Sequence, residues 1–495
     1  MKFFLLALSA ILISMPLGSR ELFFFSWLGF IPALKIFIDM EGMKNNFIWG
    51  WLWGFFLALG AGYWLVHPIE EFSGLPLPLV IVLTALLLLT AAIFTAVWTV
   101  IFKLLSRDNK FSVLVFAFTW TGVEFIRGMI FPYYPFGFLG LSQSGFDPFL
   151  QLAEAGGIYL LSFMAAVVAG LLFKLIRSKN PKILIILAAV LVISTAAAYH
   201  FSGRAEQEWA ENKRSLKTGI VMTEISQEDK WEDENIEMNL ESVAEDTERV
   251  LNQGAEIAVT PETSLTFDFV RNEYYREKFL GQIEEPGYMM VGSQIRDAER
   301  GGTVNSYLLL DEEETIKNKY NKNDLIPGEV IPFAGLAEIL TGREWHSLNP
   351  GVDKNVMNIV SQQDKFEFRV LTCSEILYSP PDRDELTEVD FILNPSNEAW
   401  FGDTNLLNQM WESARIRAVE MRTPVIKSGN KARGGYINPR GEEIIVEDRE
   451  VLTAGAGRAH SSSTFYQEHG DYIGYLSLLM VLIFIPGFRL LQTEY

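Results

Sequence analysis

Arg369-Val370-Leu371-Thr372-Cys373-Ser374-Glu375 holds the only cysteine among the 495 residues. The residues before it, Phe366 to Leu371, are apolar first at alternate positions and then continuously, the pattern of a strand that enters a core. The strand reading ends at Thr372, and a carboxylate follows the thiol by two positions. A strand that delivers a cysteine to its end and then turns is one way to present a nucleophile. A buried, inert thiol satisfies the same pattern, because free cysteine is among the most buried residue types. The rest of the chain has to separate the two readings.

Apolar residues make up 49% of the chain, but they crowd into the first 200 residues and the last 25. A bilayer core needs about 20 apolar residues per helix. Eight runs approach or exceed that length: 3–18, 22–38, 47–66, 79–105, 112–130, 150–176, 183–201 and 472–488. Lys2 followed by an apolar run has the look of a signal peptide. A second run follows at once, so a retained helical hairpin is expected. Lys2, Lys35, Lys44, Lys103, Arg107, Lys110, Lys174, Arg177, Lys179, Lys182 and Arg489 fall on one side of this arrangement, and Glu70 and Glu71 on the other. The positive side is cytoplasmic. The acidic segment between the seventh and eighth runs is therefore expected outside, in the periplasm of a Gram-negative cell. A net charge of −20 argues against nucleic acid. The expected domains are a membrane bundle at 1–205 with about seven spans, a soluble domain at 215–465 and a terminal membrane helix at 471–490. Within the fifth run, Glu124 and Arg127 share a helical face. A pair that holds helices together and a substrate contact both remain open for them.

The soluble segment alternates strand-like runs (216–223, 255–262, 288–295, 304–311, 389–395, 424–428 and 434–438) with amphipathic helical stretches at 236–251 and 405–422. This predicts an α/β sandwich. The five histidines have no metal-ligand spacing, and no metal or other cofactor is expected.

Three reactive groups fall near strand ends of this segment: Glu262, Lys322 and Cys373. A thiol titrates near about 8.5 and must lose its proton to attack a carbonyl. A carboxylate can accept that proton. A fixed ammonium can stabilise the oxyanion that follows. Their order, with Thr260-Pro261-Glu262-Thr263, Tyr320-Asn321-Lys322, Gly328-Glu329-Val330-Ile331-Pro332, Cys373-Ser374-Glu375 and Asn397-Glu398-Ala399-Trp400-Phe401-Gly402, resembles the nitrilase superfamily. With membrane runs on both sides it resembles the membrane-embedded branch, the apolipoprotein N-acyltransferases. Gly50-Trp51-Leu52-Trp53-Gly54, Glu124-Phe125-Ile126-Arg127 and Gln227–Trp231 extend the resemblance over nearly the whole chain. Departures are a shortened 325–329 loop, Phe136 where the family carries tryptophan, and Ser374 where tyrosine is frequent.

The resemblance implies an αββα sandwich and an acyl transfer. Cys373 would take an acyl chain from a membrane phospholipid as a thioester and pass it to the N-terminal amine of a diacylglyceryl apolipoprotein. Glu262 would be base and then acid, and Lys322 the oxyanion cation, helped by the Ser374 N–H. Glu329 and Glu375 would orient Lys322 or the amine. Trp231, Asn397, Trp400, Phe401, Phe333 and Phe136 are the candidate substrate contacts. A monomer in the inner membrane is expected. The apolar stretch 331–340 reads either as a core helix or as a membrane-resting flap. A membrane-tethered amidase, or a lipid-binding or transport protein without catalysis, are the alternative functions.

Overall fold

The computed structural model describes residues 1–106, 111–130, 136–326, 329–330, 347–352, 356–362, 364–378, 389–446, 450–457 and 463–490. Phe333 and the 331–340 stretch lie outside them.

The N-terminal part is helical. Among the described residues, helices Met43–Gly62, Leu77–Leu105, Val113–Ile130, Ala153–Ser178 and Lys182–Asn212 lie within five helical segments long and apolar enough to cross a membrane, the first of which continues to Glu71. Lys2–Gly18 and Phe24–Asp39 are shorter, at 17 and 16 residues. At 1.5 Å per residue each reaches roughly 25 Å, somewhat less than the hydrocarbon thickness. Lys182–Asn212 continues past the expected end at 205. Helix Ala153–Ser178 is broken at Gly156 and Gly157, where φ at Gly157 is +63°. Lipid-facing positions such as Leu184, Ile185 and Ile193 are exposed, as a membrane-spanning helix requires. The chain returns to this bundle through helix Tyr472–Leu490, which packs on helix Val113–Ile130.

The soluble part is two stacked sheets. The first is built from β1 (Arg214–Ile220), β3 (Ile257–Val259), β4 (Tyr288–Arg296), β5 (Thr303–Leu310), β6 (Ile316–Asn321) and β13 (Glu450–Ala456), in the order β13-β1-β3-β4-β5-β6. The second is built from β7 (Met357–Ser361), β8 (Asp364–Val370), β9 (Phe391–Asn397), β10 (Val425–Asn430), β11 (Gly434–Ile437) and β12 (Glu443–Val446), in the order β12-β11-β10-β9-β8-β7, with β2 (Met222–Thr223) beside β10. In each sheet three central strands run parallel, β1-β3-β4 and β8-β9-β10, and the strands flanking them are antiparallel apart from β2, which runs parallel to β10.

Side-chain alternation assigns the faces. Ile257, Val259, Met290, Tyr307 and Leu309 meet Phe366, Phe368, Val370, Phe391, Leu393 and Ile426 between the sheets. The residues between them, Ala258, Met289, Leu308 and Leu310, face outward onto helix Ile236–Asn252. On the second sheet Ile392 and Val425 face outward onto helix Asn405–Met421. That helix supplies Trp411, Ala414 and Ala418 to the cluster, which continues into the membrane bundle through Trp64 and Phe136. The chain is thus an αββα sandwich whose second helical layer stands on the bundle. β6, β7, β12 and β13 were not among the expected strands.

Candidate active site

Parallel strands carry ligands and reactive groups at their carboxyl ends. Here β3 ends three residues before Glu262, β8 ends three residues before Cys373, and β9 ends on Asn397. β6 ends one residue before Lys322. The two stacked sheets bring these ends around one cavity of about 900 Å³, mouth included, whose wall holds Glu262, Lys322, Glu329, Cys373 and Ser374. Trp231, Asn397, Trp400, Phe401 and Phe136 line the same cavity.

The backbone is bent to place the trio. Cys373 has φ +50° and Thr263 has φ +47°, both in the left-handed region that L residues avoid. Such strain clusters where function over-determines geometry. At the Glu262 turn the sheet itself comes close: a Cβ on Gly292 of β4 would stand 2.5 Å from the Pro261 carbonyl oxygen, so only glycine lets the turn pack there. Beyond Cys373 a short 3-10 turn is fixed by reciprocal bonds between Thr372 and Glu375. The Asn394 amide donates to the carbonyl oxygens of Leu371 and Cys373, at 2.5 and 3.1 Å. Lys427, fully buried and paired with Glu398 at 2.7 Å, donates in turn to Asn394 Oδ1.

Lys322 Nζ donates to Glu262 Oε1 at 3.0 Å and to Glu329 Oε1 at 2.9 Å. Asn305 Nδ2 bridges the same two oxygens, at 2.8 and 3.2 Å. The other Glu262 oxygen accepts the Asn397 main-chain N–H at 3.0 Å. Glu375 touches the loop that carries Lys322: it accepts from Tyr320 Oη at 2.8 Å and from the N–H groups of Asn323 and Asp324 at 2.7 and 3.1 Å. Glu375 therefore holds the main chain just after Lys322 and the Tyr320 side chain before it, and Glu329 contacts Lys322 directly.

Burial alone would raise the Glu262 carboxyl, but the Lys322 and Lys230 ammonium groups and the Asn305 amide outweigh it and hold it below the ordinary carboxylate range. Burial would likewise discharge Lys322, yet Glu262 and Glu329 keep it charged well above its usual value. Burial and the Glu262 charge together push the Cys373 thiol up. The resting site is thus a neutral thiol beside an ionised carboxylate and a charged lysine.

Several participants were not read from the sequence. Lys230 is buried, donates to the Glu262 carbonyl oxygen at 3.2 Å, and is lowered to about 8 by burial. It sits next to Trp231 within Gln227–Trp231, a stretch shared with the resembled family, which was a usable signal. Asn305 is a polar residue in the strand Thr303–Leu310, whose run Tyr307–Leu310 is apolar, another signal. Trp64, Leu65 and Pro68 also line the cavity, and they come from the membrane bundle. No sequence pattern pairs them with the catalytic segment. Phe333, expected as a contact, falls outside the described residues.

A chain with two stacked sheets and a Glu, Lys and Cys at their strand ends has the architecture of the nitrilase-like enzymes. The family model for carbon-nitrogen hydrolase matches residues 223–476, more than half of the chain, which belongs to that family. The model for the apolipoprotein N-acyltransferase N-terminal domain matches residues 9–171. Proteins named apolipoprotein N-acyltransferase are similar along most of their length. The one from Haemophilus influenzae is 25% identical, with 88% of this chain and 84% of that protein covered. Those from Geobacter metallireducens and Pasteurella multocida are 24% and 26% identical, over 94% and 90% of this chain and 91% and 88% of theirs. With its long apolar helices, the chain is a membrane protein.

Proposed function

We propose that this chain is an apolipoprotein N-acyltransferase of the inner membrane, with its sandwich domain in the periplasm. The observation that carries the reading is the composition of one cavity: Cys373, Glu262 and Lys322 share it with Trp64, Leu65, Pro68 and Phe136 of the membrane bundle. A thiol nucleophile walled on one side by membrane-helix side chains suits a substrate that stays in the bilayer. The family matches and the named relatives support the same reading.

The chemistry runs in two halves. Glu262 takes the thiol proton as Cys373 Sγ attacks the ester carbonyl of a phospholipid. Lys322 Nζ and the Ser374 N–H hold the oxyanion. Glu262 returns the proton to the glyceryl oxygen, the C–O bond breaks, and a lysophospholipid leaves a thioester behind. The α-amine of a diacylglyceryl-cysteine N-terminus then attacks the thioester. Glu262 takes the amine proton, and Cys373 departs as sulfur and is reprotonated. Water must be kept out between the halves, or the enzyme would be a hydrolase. The buried trio and the aromatic wall of Phe136, Trp400 and Phe401 serve that end.

The test is direct. Detergent-solubilised protein with phospholipid labelled in its acyl chain should acquire a hydroxylamine-sensitive label that Cys373→Ala lacks. Adding a diacylglyceryl-cysteine peptide should move the label to its amine. Release of free fatty acid in place of transfer would instead favour the amidase-like reading, and undiminished label on Cys373→Ala would remove the thioester. For topology, alkaline phosphatase fused after Gly203 should be active, and fused after Lys179 inactive.

A further inference from the structure

A second cavity lies inside the helix bundle. It has a volume of about 720 Å³, mouth included, within the range of small-molecule sites. Its walls are mainly apolar, with Ile13, Leu57, Phe94 and Val123 among them. Trp120, Val123, Glu124 and Arg127 are spaced i, i+3, i+4, i+7 along helix Val113–Ile130, so one face of that helix supplies both wall and polar end.

The polar end is incompletely satisfied. Glu124 Oε1 accepts the Leu139 N–H at 2.8 Å. Glu124 Oε2, Arg127 Nη2 and Trp120 Nε1 are buried and, among the described residues, meet no partner in hydrogen-bond geometry, although Trp120 and Arg127 lie near the Glu124 carboxylate. Glu124 and Trp120 are only 5% and 8% exposed. The Arg127 guanidinium lies 4.6 Å over the Phe138 ring, which fixes its plane. Charged and polar groups at membrane depth are costly and generally face a partner or a cavity. Here two donors and one acceptor converge on the head of an apolar pocket.

This cavity is not the Cys373 cavity. Trp64 stands between them: its Nε1 donates to the Ala61 carbonyl oxygen at 2.9 Å, and Ala61 lines the bundle cavity. Its ring packs edge-on against Phe136 at 4.7 Å and Phe401 at 5.2 Å, both on the Cys373 side.

We propose that the bundle cavity binds one hydrocarbon chain, with its polar head at Glu124, Arg127 and Trp120. The head must offer acceptor oxygen to Arg127 and Trp120 and a hydroxyl to Glu124. A protonated fatty acid and the glyceryl end of a lysophospholipid share that chemistry. The inference rests on the bundle alone and does not depend on the acyl transfer.

The test uses the full chain in detergent with two photoactivatable probes, a diazirine palmitate and a diazirine lysophosphatidylethanolamine. After irradiation, labelled peptides are mapped by mass spectrometry. At least one probe should label segment 113–130 or 43–62, in wild type and in Cys373→Ala alike, and which probe does so identifies the source of the head. Val123→Trp, which fills the cavity, should cut that label about tenfold, as loss of roughly 1.4 kcal/mol of binding would. Arg127→Gln should cut it by a similar factor with the cavity still open. Melting temperature shows whether each variant is folded. Labelling by neither probe overturns the proposal. So does undiminished label in a folded Val123→Trp or Arg127→Gln protein, and so does label confined to outward positions such as Leu184 and Ile185.

Discussion

Arg422 Nε donates to Glu154 Oε2 at 2.9 Å, and both side chains are sealed from solvent. Arg422 ends the helix Asn405–Met421 that backs the second sheet, and Glu154 opens the membrane helix Ala153–Ser178. Gln151 Oε1 and the Pro439 carbonyl oxygen accept further bonds from Arg422, and Arg204 closes on the other Glu154 oxygen. Removing one partner of a buried pair leaves the other charge uncompensated, at a cost of about 3–5 kcal/mol. Arg422→Ala should lower the unfolding free energy by that order in a denaturant titration. An Arg422→Met, Glu154→Leu double variant should recover most of the loss, because it removes both charges together.

The same docking surface depends on one glycine. Gly157 breaks its helix at φ +63°, and a Cβ there would meet the Tyr466 ring at 2.4 Å. The next N–H, of Ile158, donates to Glu420 Oε1 at 2.9 Å. Gly157→Ala should therefore lower the melting temperature, whereas Gly203→Ala, which meets open space inside helix Lys182–Asn212, should not lower it and should raise it slightly. Equal melting of the two variants would contradict the packing described for Gly157.

At the reactive end, Lys322 bridges two carboxylates, Glu262 and Glu329, with one ammonium. Lys322→Met would leave Glu262 and Glu329 sharing the Asn305 amide without the ammonium that bridges them, with only Lys230 behind Glu262. We expect Glu262 to rise and the acyl-transfer rate to fall by about 100- to 1000-fold, the range for loss of one oxyanion donor. Single-turnover acylation from labelled phospholipid measures it. Glu329→Gln should cost less, since it removes orientation and not the cation.

Glu262→Gln separates two properties of the thiol. The Glu262 charge helps to hold the Cys373 proton on, and in the proposed acylation its carboxylate accepts that proton. The variant should lose acyl-enzyme formation while its thiol reacts with iodoacetamide at a lower pH than in wild type. A pH profile of alkylation, read beside acylation, checks both. Parallel loss of the two reactions would argue against Glu262 as base.

Glu375 gives a pH dependence of stability. Burial raises it from 4.5 to about 7. A carboxyl raised in the folded state contributes stability that is complete below its unfolded value and is lost as the pH climbs through its folded one. The window is therefore between pH 4.5 and about 7. At 1.36 kcal/mol per pKa unit the loss is on the order of 3 kcal/mol. Glu375→Gln should flatten this part of the stability curve, measured by urea unfolding at several pH values, even though its overall stability is lower.

The strands that carry chemistry were legible because alternation and β-branched content survive in them: 366–371 and 389–395 were read within a few residues of β8 and β9. β6, β12 and β13 were not, since segments such as Ile316–Asn321 carry lysine and asparagine on an exposed edge and have no apolar period. The trio was legible as a set of residue types, while its geometry was not. Nothing local says that Asn305 bridges Glu262 and Glu329, or that Lys230 lies behind Glu262, because those contacts join strands far apart in sequence. The helix break at Gly156 and Gly157 was hidden in an otherwise continuous apolar run, where a glycine pair is common in membrane helices. Trp64 could not be assigned to the Cys373 cavity from sequence, because that assignment is made by the docking of one domain on the other.

The left-handed backbone at Cys373 has a consequence for anyone selecting variants of this protein. A residue with a Cβ pays roughly 1–2 kcal/mol to sit at that φ, and glycine does not. The glycine variant at 373 should therefore be among the more robust members of a library sorted on folding alone, and it would lack the proposed nucleophile. A heat-challenge selection would enrich dead protein at this one position, so such a library has to be sorted on turnover.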